Sequence, residues 1–271
     1  GTVITIEGPR FSTKAESNLF RQWGAHVINM STSPEAILAN EAEIPFATIA
    51  TSTDYDCWKE DEKPVTWYEI KEIMKQNTEK LKNVLVHTIN SFSREQEINK
   101  LKEKVRTIPD FPKQGVMFRD ITTLLQNKES LRKLVELFYE KYKDAEIDIV
   151  AGIESSGFIM AGLLAEKLNA GLVLIRKPGK IPYETIKQNY KLEYGEGSVE
   201  IPKDAIKPGQ KVLIIDDLIA KGGTVQAVAD LIEKMNGVIA GCAFVIELPE
   251  LKGRDKLSKY PFFSLIKFEG E

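Results

Sequence analysis

One stretch of the chain carries more chemistry than any other: Val212-Leu213-Ile214-Ile215-Asp216-Asp217-Leu218-Ile219-Ala220-Lys221-Gly222-Gly223-Thr224. Its leading apolar residues predict a buried strand. Two adjacent carboxylates stand at the C-terminal end of that strand, where open α/β sheets bind ligands. A Gly-Gly turn then leads into a helix. Small residues let backbone N–H groups approach a phosphate closely, and a helix N-terminus adds partial positive charge. Thr224 is expected to cap that helix and to donate its hydroxyl. Acids first and glycines after would suit a sugar phosphate, with its hydroxyls on Asp216 and Asp217 and its terminal phosphate in the loop. Neither G-x-x-x-x-G-K-[ST] nor G-x-G-x-x-G occurs here, which sets aside a Walker loop and a dinucleotide fingerprint. The plainer alternative is a strand that ends in solvated acids before a tight turn.

Such a site needs a sheet behind it. Ile147–Ile153, Leu172–Ile175, Lys211–Asp217 and Ile239–Glu247 read as near-continuous apolar strands. They alternate with helices expected from about Lys128 to Tyr142, from Gly157 and from Thr224. That alternation predicts a parallel α/β sheet covered on both faces. A polar excursion runs to residue 204. Upstream, Thr2–Ile6 and Val27–Met30 read as strands, Lys14–Trp23 as a helix, and Pro34 as the start of another helix capped by Ser33. Pro45–Ser52 reads as a buried strand, and an amphipathic helix follows from about Thr66 to Ile89. Residues 90–97 lack apolar spacing and read as a linker, with 93–96 as its centre and a short helix over 98–105.

Composition narrows the classes further. The formal charge is −3, with 10 basic and 14 acidic residues before position 97 and 27 and 26 from position 97 onward. Neither part is basic enough to make nucleic acid the main partner. No apolar run reaches the roughly 18 residues of a membrane span. Cys57 and Cys242 are too few for a disulfide framework, so a reducing, cytoplasmic setting is expected. His26 and His87 leave little for a zinc site. The chain opens at Gly1 in mid-strand, which reads as a truncated start, a processed N-terminus or a tag scar, with no leader segment.

The stretch around Asp216 resembles the phosphoribosyl-diphosphate signature of the type I phosphoribosyltransferases. Phe111-Pro112-Lys113-Gln114-Gly115-Val116-Met117-Phe118-Arg119-Asp120-Ile121 resembles the purine-recognition segment of the adenine phosphoribosyltransferases. Leu174–Lys180, Leu192–Gly195, Val245–Leu248 and Pro261–Leu265 are similar to that family in the same order, so the resemblance spans residues 97–271. It implies the type I fold with a hood over residues 181–200. It also implies transfer of phosphoribosyl from phosphoribosyl diphosphate to adenine, giving AMP and diphosphate with Mg²⁺, in a homodimer. By resemblance, Asp216 and Asp217 hold the ribose, and Ala220, Lys221, Gly222, Gly223 and Thr224 wrap the 5-phosphate. Arg176, Lys177 and Lys180 bind diphosphate, although a solvated basic loop is the alternative. Met117, Phe118 and Arg119 contact adenine, with Leu248 opposite. Phe118 stacks on the base or belongs to the core. Glu193 lies over the reaction centre, unless it is an ordinary solvated acid. Mg²⁺ would be held mostly by substrate oxygens and water, with no direct protein ligand. Two departures stand out: Ser156 where the family commonly has Arg, and Lys221 where it usually has Thr. Loss of the Arg implies weaker binding of the donor.

Residues 1–92 resemble the C-terminal part of methylthioadenosine phosphorylase, a nucleoside phosphorylase. The matching residues are Gly1–Ser12, Trp23–Ala25, Val27–Met30 and Ala50–Trp58. By resemblance Phe11 packs on a base, Met30 and Ser31 approach ribose and phosphate, and Asp54 and Asp56 face the purine. A polar loop after a strand is the alternative for the two acids. The family's earlier positions are not in this chain, so phosphorolysis is not expected from it. The leading expectation is therefore a purine-salvage transferase with a partial phosphorylase segment. Alternatives are a non-catalytic phosphoribosyl-diphosphate sensor, an assembly role for residues 1–92, or a bifunctional parent protein.

Overall fold

The computed structural model describes residues 1–59, 61, 66–191 and 196–270. The chain forms two compact units, Gly1–Ser93 and Arg94–Glu271.

In the first unit, β1 (Val3–Thr5), α1 (Lys14–Gln22), β2 (Val27–Asn29) and α2 (Thr32–Glu41) precede the start of α3 (Trp67–Glu103). β1 and β2 pair in parallel, with Val3 opposite Val27. A capping box fixes the start of α1: the Glu16 N–H donates to Thr13 Oγ1 and the Thr13 N–H to Glu16 Oε2. Helix α2 starts at Thr32 rather than Pro34, with Ser31 and not Ser33 at its N-cap. Pro34 is tolerated because first-turn N–H groups have no helical acceptor. The strand expected over 45–52 does not form, and these residues are exposed. A buried parallel strand needs a neighbouring edge to take its peptide groups, and β1–β2 is a two-stranded sheet.

The residues expected as a linker, 90–97, lie inside helix α3, and the boundary between the two units falls among them at Ser93 and Arg94. Arg94-Glu95-Gln96-Glu97 are good helix formers whatever their polarity. Just beyond them, Leu101 is buried and Ile98 packs against the same core, which anchors the helix end.

The second unit continues with β3 (Arg106–Ile108), β4 (Phe118–Asp120), α4 (Thr122–Gln126), α5 (Lys128–Tyr142), β5 (Ile149–Ile153), α6 (Gly157–Leu168) and β6 (Gly171–Ile175). Then follow β7 (Thr185–Lys191), β8 (Glu196–Pro202), β9 (Lys211–Ile219), α7 (Gly223–Lys234) and β10 (Val238–Glu247). Two 3₁₀ turns, Pro249–Leu251 and Gly253–Leu257, lead to β11 (Phe262–Lys267). The main sheet has the order β11-β10-β9-β5-β6 and every pairing is parallel. Strand alternation feeds a core on each face. Val150, Leu213 and Ile215 meet Leu134, Phe138, Met160 and Leu164 on one side. Ala151, Val212 and Ile214 meet Val228, Leu231 and Ile232 on the other. The polar excursion holds an antiparallel pair, β7–β8, with Thr185 opposite Pro202.

β3 and β4 pair antiparallel, and a buried carboxylate sets their geometry. Asp120 accepts from Arg106 Nε (2.9 Å), the Thr122 N–H (2.9 Å) and the Thr122 hydroxyl (2.8 Å). The Thr122 N–H, with its hydroxyl and Arg106, holds the Asp120 carboxyl below the usual carboxylate range against the opposing effect of burial. Its stabilising contribution is complete above the unfolded pKa of about 3.9 and is lost as pH falls through the folded value. Asp120→Asn should therefore lower stability by about 1.5–3 kcal/mol near neutral pH in urea unfolding. The deficit should shrink on acidification; a pH-independent deficit would exclude the charge as its cause.

Candidate active site

The sheet register brings three stretches to one edge. Gly152 lies beside Ile215 and Ile153 beside Ile175. Asp216, Glu154 and Arg176 are the next residues along three adjacent parallel strands.

A cleft of about 440 Å³ opens at this edge, lined by Asp216, Leu218–Val225, Phe244 and Lys256. The expected phosphate loop, Ala220, Lys221, Gly222, Gly223 and Thr224, is its wall. Thr224 does not cap α7: Gly222 is the N-cap, in the left-handed conformation at φ +71°, and makes no side-chain cap bond. The first N–H groups of α7 thus lack helical acceptors next to the cleft, as an anion site requires. Asp216 Oδ1 accepts the Asp217 N–H at 2.9 Å. Phe244 faces Asp216 across the β9–β10 ladder and is buried. Burial, and next the charge of Asp217, push the Asp216 carboxyl well above the usual range. Room for it depends on Gly157, where an added Cβ would lie 2.9 Å from Asp216 Oδ1. Asp217 is half-buried and is not part of the cleft lining.

Arg176, Lys177 and Lys180 gather after β6 around Glu154. Glu154 accepts from Lys180 Nζ (2.7 Å) and the Lys177 N–H (2.8 Å), and lies 3.5 Å from Arg176 Nε. The Glu154–Ser155 peptide bond is cis. Ser156 precedes α6 in helical conformation and makes no cap bond.

The expected adenine contacts lie at the far end of the sheet. The Leu248 N–H donates to Ile219 O (3.1 Å), and the Phe268 N–H to Glu247 O (3.1 Å). The Arg119 guanidinium lies over the Phe268 ring, 4.3 Å from its centroid, and Nη1 donates to Thr107 Oγ1 at 2.6 Å. Phe118 is 40% exposed, with its edge to Phe111 at 5.2 Å, so it is not a core residue. Met117 is half-buried. Glu193 lies outside the described residues, as do the neighbouring Leu192, Tyr194 and Gly195.

In the first unit, Phe11 is 70% exposed, Met30 and Ser31 are exposed, and Asp54 accepts from Thr53 Oγ1 (2.6 Å). Asp56 takes the Ser12 hydroxyl on both oxygens at 2.9 Å. The cleft of this unit, about 530 Å³, is lined by Val3–Ile6, Phe20, Trp23, Thr32, Ser33, Ala36 and Ile37, and by none of these residues.

Sequence reading missed Glu154, Gly253, Lys256 and Phe268. Gly253 supports the phosphate loop from behind. An added Cβ there would overlap Ala220 O and lie 2.9 Å from Gly222 N, and one on Gly222 would overlap Gly253 O.

The loop, the acid and the sheet-end position suit a phosphate-bearing ligand at an α/β sheet edge, as in the phosphoribosyltransferase class. Comparison with known proteins agrees. The phosphoribosyl transferase domain family model matches residues 120–270, and that of the phosphorylase superfamily matches residues 1–90. The adenine phosphoribosyltransferase of Desulfosudis oleivorans is 52% identical over 171 residues, 63% of this chain and 99% of that one. That of Halothermothrix orenii is 51% identical over 167 residues, 62% and 98% of the two chains. Among solved structures, the adenine phosphoribosyltransferase of Thermoanaerobacter pseudethanolicus superposes with a TM-score of 0.62 at 43% identity, covering 63% of this chain and 99% of that one. The Saccharomyces cerevisiae enzyme, complexed with an imino-altritol bisphosphate and adenine, gives 0.61 at 38%, covering 64% and 99%. The chain belongs to the adenine phosphoribosyltransferase family, and its activity is the transfer of phosphoribosyl to adenine.

Gly253→Ala should push the Gly222 segment out of position. Overpacking of this kind costs about 1–3 kcal/mol, read by urea unfolding. The KM for phosphoribosyl diphosphate should rise while the adenine KM holds. A variant with wild-type stability and donor KM would show that the two glycines need not touch.

Proposed function

We propose that phosphoribosyl diphosphate binds along this edge, with its 5-phosphate on the Ala220–Thr224 loop and its ribose hydroxyls on Asp216 and Asp217. Its diphosphate meets Arg176, Lys177 and Lys180. Adenine lies between Met117, Phe118 and Arg119 on one side and Leu248 on the other. The observation that carries this reading is the Asp216 carboxyl in a cleft walled by the start of α7, which no side chain caps.

The reaction breaks the bond between the sugar C1 and the diphosphate, and an adenine nitrogen takes the carbon. Positive charge develops on the ribose while negative charge grows on the leaving group, so fixed cations and a fixed ribose are what the protein supplies. Glu193 is assigned to the cation and the adenine proton. Among the described residues no cluster of three or more His, Cys, Asp or Glu could hold a metal. The absence of such a cluster leaves the described residues consistent with a Mg²⁺ that takes its ligands mostly from substrate oxygens and water, with the Asp216 carboxyl in the cleft as a hard oxygen donor nearby. When bound, Mg²⁺ would neutralise diphosphate charge. No described helix is long and apolar enough to cross a membrane. Two unpaired cysteines and salvage chemistry support a cytoplasmic location. Exposed Ile159 and Leu163 on α6, with Leu172 and Leu174 on the edge strand β6, support a homodimer.

AMP formation from competing adenine, hypoxanthine and guanine tests the acceptor; adenine should prevail, and equal use of all three would refute the base assignment. Asp216→Asn tests the ribose site. Because the folded protein favours the neutral carboxyl, ionisation at neutral pH opposes folding. The variant should be more stable than wild type at pH 7, with the difference vanishing in acid. Its kcat/KM should drop by about 100-fold or more. Unimpaired turnover would remove Asp216 from the mechanism.

Ser156 leaves the start of α6 without the family's guanidinium. Ser156→Arg should lower the donor KM about tenfold and leave the adenine KM in place. Unchanged kinetics would mean that this position does not meet diphosphate.

A further inference from the structure

Glu200 is 2% exposed, yet it bears a carboxylate. An isolated buried charge is costly, so its partners must account for it. Oε1 accepts the N–H of Gly179 (2.8 Å) and of Lys180 (3.2 Å). Oε2 accepts the Thr185 hydroxyl (3.3 Å) and lies 3.6 Å from Lys187 Nζ. Its backbone pairs with Arg176 in both directions, at 3.0 and 2.8 Å. Arg176 Nη1 in turn donates to Lys180 O at 3.2 Å. Burial opposes ionisation of Glu200, but the Lys180 and Gly179 N–H groups, Lys187 and Thr185 together hold its pKa below the usual range.

These partners divide into two sets. Gly179 and Lys180 belong to the turn that carries the three cations, with Gly179 at φ +80°. Thr185 and Lys187 belong to β7, half of the antiparallel pair. The carboxylate thus fixes the direction of a turn whose side chains, on the reading above, meet diphosphate. Nothing in the family signature of the phosphate loop calls for an acid here, and Glu200 is not among the residues that line the cleft.

We infer that Glu200 is a positioning residue for the diphosphate half of the donor: through the Gly179 and Lys180 N–H groups it holds the basic turn in its binding shape and ties that turn to β7. This rests on the assignment of Arg176, Lys177 and Lys180 to diphosphate. It separates the two substrates. Loss of Glu200 must weaken donor and diphosphate binding and leave adenine binding alone, whereas a merely structural role would affect both alike.

The test measures KM for phosphoribosyl diphosphate and for adenine, and the inhibition constant of inorganic diphosphate, in Glu200→Ala, Glu200→Gln and Lys180→Ala, with thermal unfolding of each. Glu200→Ala should raise the donor KM and the diphosphate inhibition constant about tenfold, with adenine KM within about twofold. Glu200→Gln keeps an acceptor for both N–H groups and should recover most of the loss. If Glu200→Ala does not fold, Glu200→Asp, whose shorter chain cannot serve both N–H groups, replaces it under the same criteria. A folded variant with unchanged donor KM, or with equal rises for both substrates, overturns the inference. Should Lys180→Ala leave donor and diphosphate binding unchanged, the diphosphate assignment itself fails, independently of Glu200.

Discussion

Backbone lies directly against backbone at Gly222 and Gly253, and the cleft depends on that contact. An anion can be bound by peptide N–H groups only if a helix start is left uncapped by side chains. An uncapped start needs support from elsewhere, and the 3₁₀ turn that begins at Gly253 supplies it at a distance no Cβ would permit. The left-handed conformation at Gly222 turns β9 into α7 within three residues, so Asp216 and the loop face the same opening. Lys256, carried by the same 3₁₀ turn, adds a cation to the wall.

Charge in this region is arranged ahead of any substrate. The cations after β6 are not free: Glu154 holds Lys180 and Arg176 by their side chains, and Glu200 holds the backbone between them. Asp216 presents the opposite case, a carboxyl whose surroundings disfavour ionisation. Such groups are common where binding of a cation or hydroxyl provides what the free protein lacks. The region therefore combines acids whose charge is satisfied, Glu154 and Glu200, with one, Asp216, whose surroundings favour the neutral form.

Much of this was legible in the sequence, and the failures have physical causes. Runs such as Val212–Ile215 sit between two cores and must be apolar throughout, so β5, β9 and β10 declare themselves. Helix α5 occupies the expected Lys128–Tyr142 span because its apolar residues keep one face. The β7–β8 pair escaped notice although Ile186 and Tyr190, and Val199 and Ile201, alternate toward one core; the polar partners on the other face hid the period. The apolar run 45–52 misled for the opposite reason, since an apolar run makes a strand only beside a partner edge. Residues 90–97 looked irregular for want of apolar spacing, but helix needs no apolar face when Ile98 and Leu101 anchor its end. At the site, the phosphate loop is local and therefore readable. Glu154, Glu200, Gly253 and Phe268 act on segments distant in sequence, and no spacing rule announces them.

Phe268 has a consequence for how the protein comes into being. Its ring underlies the Arg119 guanidinium, and Gly253 underlies the phosphate loop. Both supports are translated after the groups they hold. A nascent chain can finish the β5–β6 ladder early, while the Ala220–Thr224 loop waits for the Gly253 turn and Arg119 waits for Phe268, beyond β11.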